Sequence, residues 1–463
     1  MADALTYEHR MSGSDALMWN IEKDPLLRST ITAVALLDRA PDRHRLVERV
    51  ERGTRLVPRM RQRVVSSPYS VAPPRWAVDP NFDLSYHLRF VKSPGDGTLG
   101  DLLHLAEPLA MQGFDRARPL WEFVVVEELA DGKAAVIQKI HHAITDGVGG
   151  MQIAMHLVDL EREPDPDALG PMPRAPEPDE WSFAQRMVDA GTHELRRQVY
   201  RLRRTAGRLP AAASDPRGAA EGLVDMVRST ARMLTPYSAP MSPIMTDRSL
   251  SVRFDNLVVP LADLKAAGRA SGGKLNDAFV AAVAGGLRRY HEAQGTDAAE
   301  LRMNMPINVR DDETSGMAGN QFVPARFAVP IDIADPIKHM AAIRELVLAQ
   351  RAEPALKLSG PIADLLNRFP TSFVTEVFGG MLRGIDFTTS NVPGIPVPVF
   401  LGGAQLEALI PFGPLAGAAI NVTLVSFLED LHIGVNMDPA AVTDTGLFVK
   451  CLRDAFDEVL KVA

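Results

Sequence analysis

The residues with the clearest chemical potential lie in "AVIQKIHHAITDGVGG", Ala135 to Gly150, where His141 and His142 follow an apolar run and precede Asp146 and Gly147. A neutral imidazole, with an ordinary pKa of about 6.5, takes a proton from an alcohol or thiol near neutral pH once a neighbour fixes its tautomer. The run "AAVIQKIHH" reads as a strand, and successive strand side chains point to opposite faces. One histidine therefore faces the chemistry and the other supports it. Because the two imidazoles diverge and no third and fourth ligand stands nearby, no metal site is expected. No "GxSxG" elbow offers a serine nucleophile, so the base must act on the substrate itself.

The elements that position these residues follow from the flanking pattern. "TDGVGGMQIAMHLVDLE" reads as a helix start, with Asp146 as N-cap, Gly147 permitting an unusual backbone angle, and Val148, Met151, Met155 and Val158 on one face. Residues 1–162 mix strand and helix signals and form a first half that carries the histidines. Residues 163–247 are a connecting segment: "EREPDPDALGPMPRAPEPDEW" (Glu161 to Trp181) is a proline- and acid-rich linker, and a helical stretch follows it. Residues 248–463 form a second half, where "SLSVRFDNLVVPLADLKAAGRASGGKLNDAFVAAVAGGLRRY" reads as strand, helix, glycine break and longer helix. The reading is two mixed α/β domains facing one another.

Composition narrows the function. A chain of 463 residues, 46% hydrophobic and 23% charged, can bury a large core across two or three domains. A net charge of -8 argues against a nucleic-acid partner, which requires a clustered basic surface. The single cysteine, Cys451, allows no disulfide framework, and the N-terminus lacks the pattern of a secretory signal, so a cytoplasmic location is expected. Phe387 to Leu406 and Leu409 to Leu428 are uncharged and long, but proline and glycine interrupt both; they read as buried strands rather than membrane spans.

"HHAITDG" (His141 to Gly147) resembles the HHxxxDG motif of CoA-dependent acyltransferases of the chloramphenicol-acetyltransferase type and of peptide-synthetase condensation domains. With "MSGSDALMW", "PRMRQR", "FDLSYHLR", "FDRARPLWE" and "KLNDAFVAAV" the chain resembles, more closely, the bacterial wax ester synthase/diacylglycerol acyltransferase family. "MPINVR", Gly319-Asn320, "TTSNVPG" and "INVTLVSFLEDLHIGVNMD" continue the match in order over nearly the whole chain, while Gln321 and Ile395 depart from it.

The resemblance implies two chloramphenicol-acetyltransferase-like domains with an active-site tunnel between them. It implies His142 as general base, supported by His141, Asp146 and Gly147, and acyl-CoA as co-substrate with no other cofactor. The acceptor would be a diacylglycerol or a long-chain fatty alcohol, giving triacylglycerol or wax ester as storage lipid. Asn276 leads as oxyanion donor, ahead of Thr388, Ser390 and Asn391, although its place before an apolar helix also suits an N-cap. Asp277, Pro119, Leu120 and Trp121 are expected to support the site, and Arg310 to pair with Asp146. Two alternatives share the fold: a condensation-type enzyme acting on carrier-bound substrates, and a non-catalytic lipid-binding protein.

One feature bears on location. Along "RMVDAGTHELRRQVYRLRRTAGRL", Val188, Leu195, Val199, Leu202, Ala206 and Leu209 form a helical stripe among many arginines. A basic amphipathic helix suits peripheral contact with an anionic membrane at its inner face, or with lipid droplets; the alternative is a solvated face packed on the protein.

Overall fold

The computed structural model describes residues 9–67, 72–145, 147–165, 169–178, 181–214, 239–308, 322–353, 366–367 and 369–463. Two six-stranded sheets dominate. The first runs, in spatial order, Phe400–Leu401, Ala404–Phe412, Thr30–Leu37, Ala134–His141, Trp121–Glu127 and Leu88–Lys92. The second runs Arg253–Pro260, Asp430–Met437, Ile420–Phe427, Phe387–Ile395, Glu300–Asn308 and Phe322–Pro330.

The uncharged stretches are strands, as their β-branched residues and proline breaks predict: Phe387–Ile395, Phe400–Leu401, Ala404–Phe412 and Ile420–Phe427. Among the described residues, no helix is long and apolar enough to cross a membrane. The expected strand, helix, break and helix are Arg253–Pro260, Leu261–Ala270 and Leu275–Ala293. The last of these is the spine of the second domain, with Ala278 to Ala284 buried throughout.

Two features differ from the sequence reading. Residues 248–463 do not keep to one sheet, because Ala404–Phe412 leaves the second domain and pairs antiparallel with Thr30–Leu37 of the first. The crossing satisfies the backbone of what would otherwise be an open edge. It also brings the two sheets into close contact at Gly434, where a Cβ would lie 1.7 Å from the Pro411 carbonyl oxygen. Only glycine permits that approach.

The second difference is the linker, which is docked on the first domain. Arg52 donates to the carbonyls of Leu169, Gly170 and Pro171 at 2.9, 2.7 and 3.2 Å, and Arg55 to that of Pro173 at 2.9 Å. Both arginines lie on the helix Arg43–Leu56. The helix Phe183–Ser214 follows, tied back by an ion pair between Arg10 and Asp189.

Candidate active site

The strand Ala134–His141 pairs with Thr30–Leu37 on one side and Trp121–Glu127 on the other. Its alternation sends Gln138, Ile140 and, just past its end, His142 into a cavity of about 380 Å³ between the two sheets. Lys139 and His141 take the opposite face. The helix Gly147–Met155 flanks the cavity with Gly150, Met151 and Ala154, and packs on the strand Phe387–Ile395 of the other domain.

His141 is hydrogen-bonded at one ring nitrogen and faces a carboxylate at the other. Its Nδ1 accepts the Ala143 backbone N–H at 2.9 Å, which places the ring proton on Nε2, in ion-pair range of Glu22 Oε1 at 2.9 Å. A ring so engaged lies outside the cavity lining, the position expected of a supporting group. Burial works to raise the Glu22 carboxyl, but the contact with His141, the Ser29 N–H at 2.5 Å and the charge of Arg116 outweigh it and hold the group below its ordinary value. Ser29 reaches the second histidine through its next peptide group: the Ser29 carbonyl accepts the His142 N–H at 2.8 Å. Glu22 thus contacts His141 directly and is linked to the His142 backbone through one residue, Ser29.

Pro119, Leu120 and Trp121 stand behind this arrangement and outside the cavity lining. The Leu120 carbonyl accepts the His141 N–H at 2.9 Å, and Trp121 pairs with Ile140. Trp121 is locked in turn: its Nε1 donates to the Met60 carbonyl at 2.7 Å, and the His87 ring stacks on it at 4.6 Å. Leu120 and Trp121 thus contact the end of the histidine strand from behind. Asp146 and Arg310 lie outside the described residues, so the expected cap and ion pair are not placed; Gly147 opens the helix that follows.

The structure does not bring Asn276 to His142. The N-cap of the helix Leu275–Ala293 is Lys274, whose N–H donates to Asp277 Oδ2 at 2.7 Å, so Asp277 performs the capping and Asn276 is simply the second helical residue. The Asn276 amide nitrogen lies 3.9 Å from Met305 Sδ. Met303, Met305 and Ile307 pack into the core of the second domain, whereas Asn304 and Pro306 face the cavity. The strand Glu300–Asn308 therefore separates Asn276 from the site. Of the remaining expected donors, Thr388 and Ser390 line the cavity, while Asn391, between alternating partners, is exposed.

The sequence reading missed several lining residues of the second domain: Asn304 with its cross-strand partner Arg326, and Asn421 with Thr423. The Asn304 amide oxygen is buried with no hydrogen-bond partner among the described residues. Asn421, by contrast, is fixed, with its amide nitrogen 2.8 Å from the Pro414 carbonyl and its oxygen accepting Thr423 Oγ1 at 2.8 Å. The signal available was the period of two: Asn304, Thr388, Ser390, Asn421 and Thr423 occupy the inward positions of three apolar strands. An imidazole aimed into a largely apolar cavity, faced by hydroxyl and amide groups, can accept a proton from a hydroxyl and offer donors to a developing oxyanion.

Comparison with known proteins gives a consistent picture. The family model described as the wax ester synthase/diacylglycerol acyltransferase catalytic domain matches residues 11–279, and that of the WS/DGAT C-terminal domain matches residues 318–460. A Mycobacterium tuberculosis protein named as a diacylglycerol O-acyltransferase is 38% identical over 97% of this chain and 91% of its own. Among solved structures, the wax ester synthase/diacylglycerol acyltransferase of Marinobacter aquaeolei superposes with a TM-score of 0.63 at 20% identity, covering 97% of this chain and 98% of the other. The first condensation domain of the CDA synthetase follows with a TM-score of 0.61 at 16% identity, covering 98% and 97%. At those identities the two structures speak for the fold, which is a pair of condensation-like domains.

Proposed function

We propose, for a chain that belongs to the wax ester synthase/diacylglycerol acyltransferase family and is an O-acyltransferase, that it moves the acyl group of a long-chain acyl-CoA onto a diacylglycerol, a long-chain fatty alcohol, or both. The products are triacylglycerol or wax ester, as storage lipid. The observation that carries this reading is the His142 imidazole facing a cavity of about 380 Å³ whose first-sheet wall is Ile31, Ala33, Ala35 and Ile140. That volume falls within the roughly 300–1,000 Å³ of small-molecule sites.

In the proposed reaction His142 removes the hydroxyl proton as the oxygen attacks the thioester carbonyl. The tetrahedral oxyanion is met by donors of the second sheet, with Ser390, Thr388 and the Asn304 amide the candidates. Collapse breaks the carbon–sulfur bond, and the proton on His142 passes to the leaving thiolate, regenerating the base and releasing CoA as the thiol. Acyl-CoA is consumed as co-substrate, and the steps call on no further cofactor.

The proposed location is cytoplasmic, with peripheral contact at the inner face of a membrane or at lipid droplets. Of the apolar stripe on the helix Phe183–Ser214, Val188, Leu195 and Val199 are exposed, so that part of the stripe is not packed on the protein. Substituting Arg197, Arg201, Arg204 and Arg208 with Gln is expected to lower salt-sensitive co-sedimentation with anionic vesicles.

The deciding experiment incubates the purified protein with radiolabelled palmitoyl-CoA against diacylglycerol, hexadecanol and a carrier-bound amine. Ester from either alcohol, lost in His142→Ala, supports the reading. Condensation with the amine alone would transfer the chain to the condensation-type alternative, and binding of lipid without turnover to the non-catalytic one.

A further inference from the structure

Two helices wall the cavity on one side, Gly13–Ile21 and Thr371–Arg383, and they pack on each other through Ile21 and Val374, with Leu27 of the turn after the first helix joining the cluster. Leu17 and Met18 of the first and Met381 and Leu382 of the second line the cavity. The outer side of the second helix is apolar as well. Phe373 is 52% exposed and Val377 37%, and Phe369, just ahead of the helix, is 46% exposed. Phe373 and Val377 are four residues apart, the spacing of one helix edge, and the Phe369 ring joins them by contact, 5.8 Å from that of Phe373. Clustered apolar groups of this size on a surface mark a contact site.

We infer that the Thr371–Arg383 helix is the lipid portal of the cavity, seated by Phe369, Phe373 and Val377 in a phospholipid surface from which the water-insoluble acceptor enters. The inference rests on the lipid-acceptor reading above. Two observations favour a lipid surface over a protein partner. First, one helix, about 10 Å across, is all that separates the exposed strip from the cavity. Second, the exposed row Val188, Leu195 and Val199 rises from the same corner of the molecule. Asp189 of that helix pairs with Arg10, three residues before Gly13, and the Gly13 carbonyl accepts the Asn367 amide at 2.8 Å, two residues before Phe369. Two apolar strips on separate helices, with the exposed Arg196 beside one of them, suit a broad deformable surface rather than a single shaped pocket.

The test replaces Phe369, Phe373 and Val377 with Gln in the full chain, using uncharged phosphatidylcholine vesicles loaded with dioleoylglycerol. Expected are a fall in co-sedimentation of at least about tenfold, insensitive to salt, and a matching fall in ester formed from the vesicle-borne acceptor. Ester formed from hexanol supplied in water should be unchanged, which shows that the variant is folded and competent. A Phe373→Leu variant should retain binding. Parent and triple variant sedimenting alike, or neither sedimenting, would overturn the portal. Loss of sedimentation in the variant, with no ester from any alcohol in the parent, would leave the lipid contact standing and remove the acyl-transfer reading instead.

Discussion

The wall that the first sheet gives the cavity is mostly apolar, with Ile31, Ala33, Ala35 and Ile140 leading to His142 and Gln138 its one amide, whereas the wall from the second sheet carries Asn304, Thr388, Ser390, Asn421 and Thr423 beside apolar residues such as Val392 and Val425. In the proposed reaction the first would supply the proton acceptor in a setting that suits a hydrocarbon chain, and the second most of the hydrogen-bonding groups where charge would develop. That division makes the proposed chemistry depend on how the two sheets are held across the cavity, where the strand Ala404–Phe412 and the close contact at Gly434 join them. Preorganised donors act through such fixed geometry.

The contrast can be broken most severely from the first wall. His142→Ala is expected to lower ester formation by about 10²–10⁴-fold with little change in melting temperature, since general-base catalysis contributes on that scale; steady-state kinetics alongside a thermal melt decide it. Attacking the second wall, Ser390→Ala combined with Thr388→Val should lower kcat by on the order of 10²-fold while KM for acyl-CoA changes little. A fall in affinity alone would make these groups binding contacts.

Glu22→Gln sharpens the comparison by loosening the first wall without touching the cavity. We expect a loss of about 1–3 kcal/mol, because the His141 Nε2–H and the Ser29 N–H lose a charged acceptor, with kcat reduced by about tenfold. The pH signature is specific. The Glu22 pKa is depressed on folding, so its contribution is present above the ordinary value of 4.5 and disappears as pH falls through the folded value. Denaturant melts of the parent should show that acid loss, and those of Glu22→Gln should lack it. The smallest effect belongs to Asn276→Ala. With the strand Glu300–Asn308 between it and the cavity, turnover should stay within about twofold of the parent. A hundredfold loss would place Asn276 in the chemistry after all.

Much of the first wall was legible in the sequence. Strand alternation says that His141 and His142 diverge, the resemblance says which would serve as base, and the structure puts His142 at the cavity and His141 against Glu22. Glu22 itself was not legible, because an acidic residue far along the chain announces no partner. The second wall was harder to read for a physical reason. A period of two says which residues share a face, but not which sheet the strand joins, so Ala404–Phe412 reads like its neighbours while pairing elsewhere. Asn276 drew attention through the resemblance, as the leading oxyanion donor, with helix capping as the alternative. The cap is made instead by the Asp277 side chain accepting the Lys274 N–H, half of a capping box, in which the side chain at the third helical position matters more than the residue type at the cap. The exposure of Val188, Leu195 and Val199 was likewise beyond periodicity, which finds an apolar stripe but not what covers it.

The strap clipped by Arg52 and Arg55 carries a consequence for how this chain tolerates change. Every bond that these two arginines send to the strap ends on a main-chain carbonyl. Proline keeps its carbonyl while losing its N–H, so a proline-rich strap is an array of acceptors with few donors, and guanidinium is a donor with no acceptor. The match is between two complementary inventories of hydrogen-bonding atoms, and it ignores side-chain identity on the strap. Gly170 apart, whose φ of +62° favours glycine, substitutions along Leu169 to Pro173 should be nearly silent so long as the backbone path survives, whereas a single change at Arg52 would release three carbonyls at once.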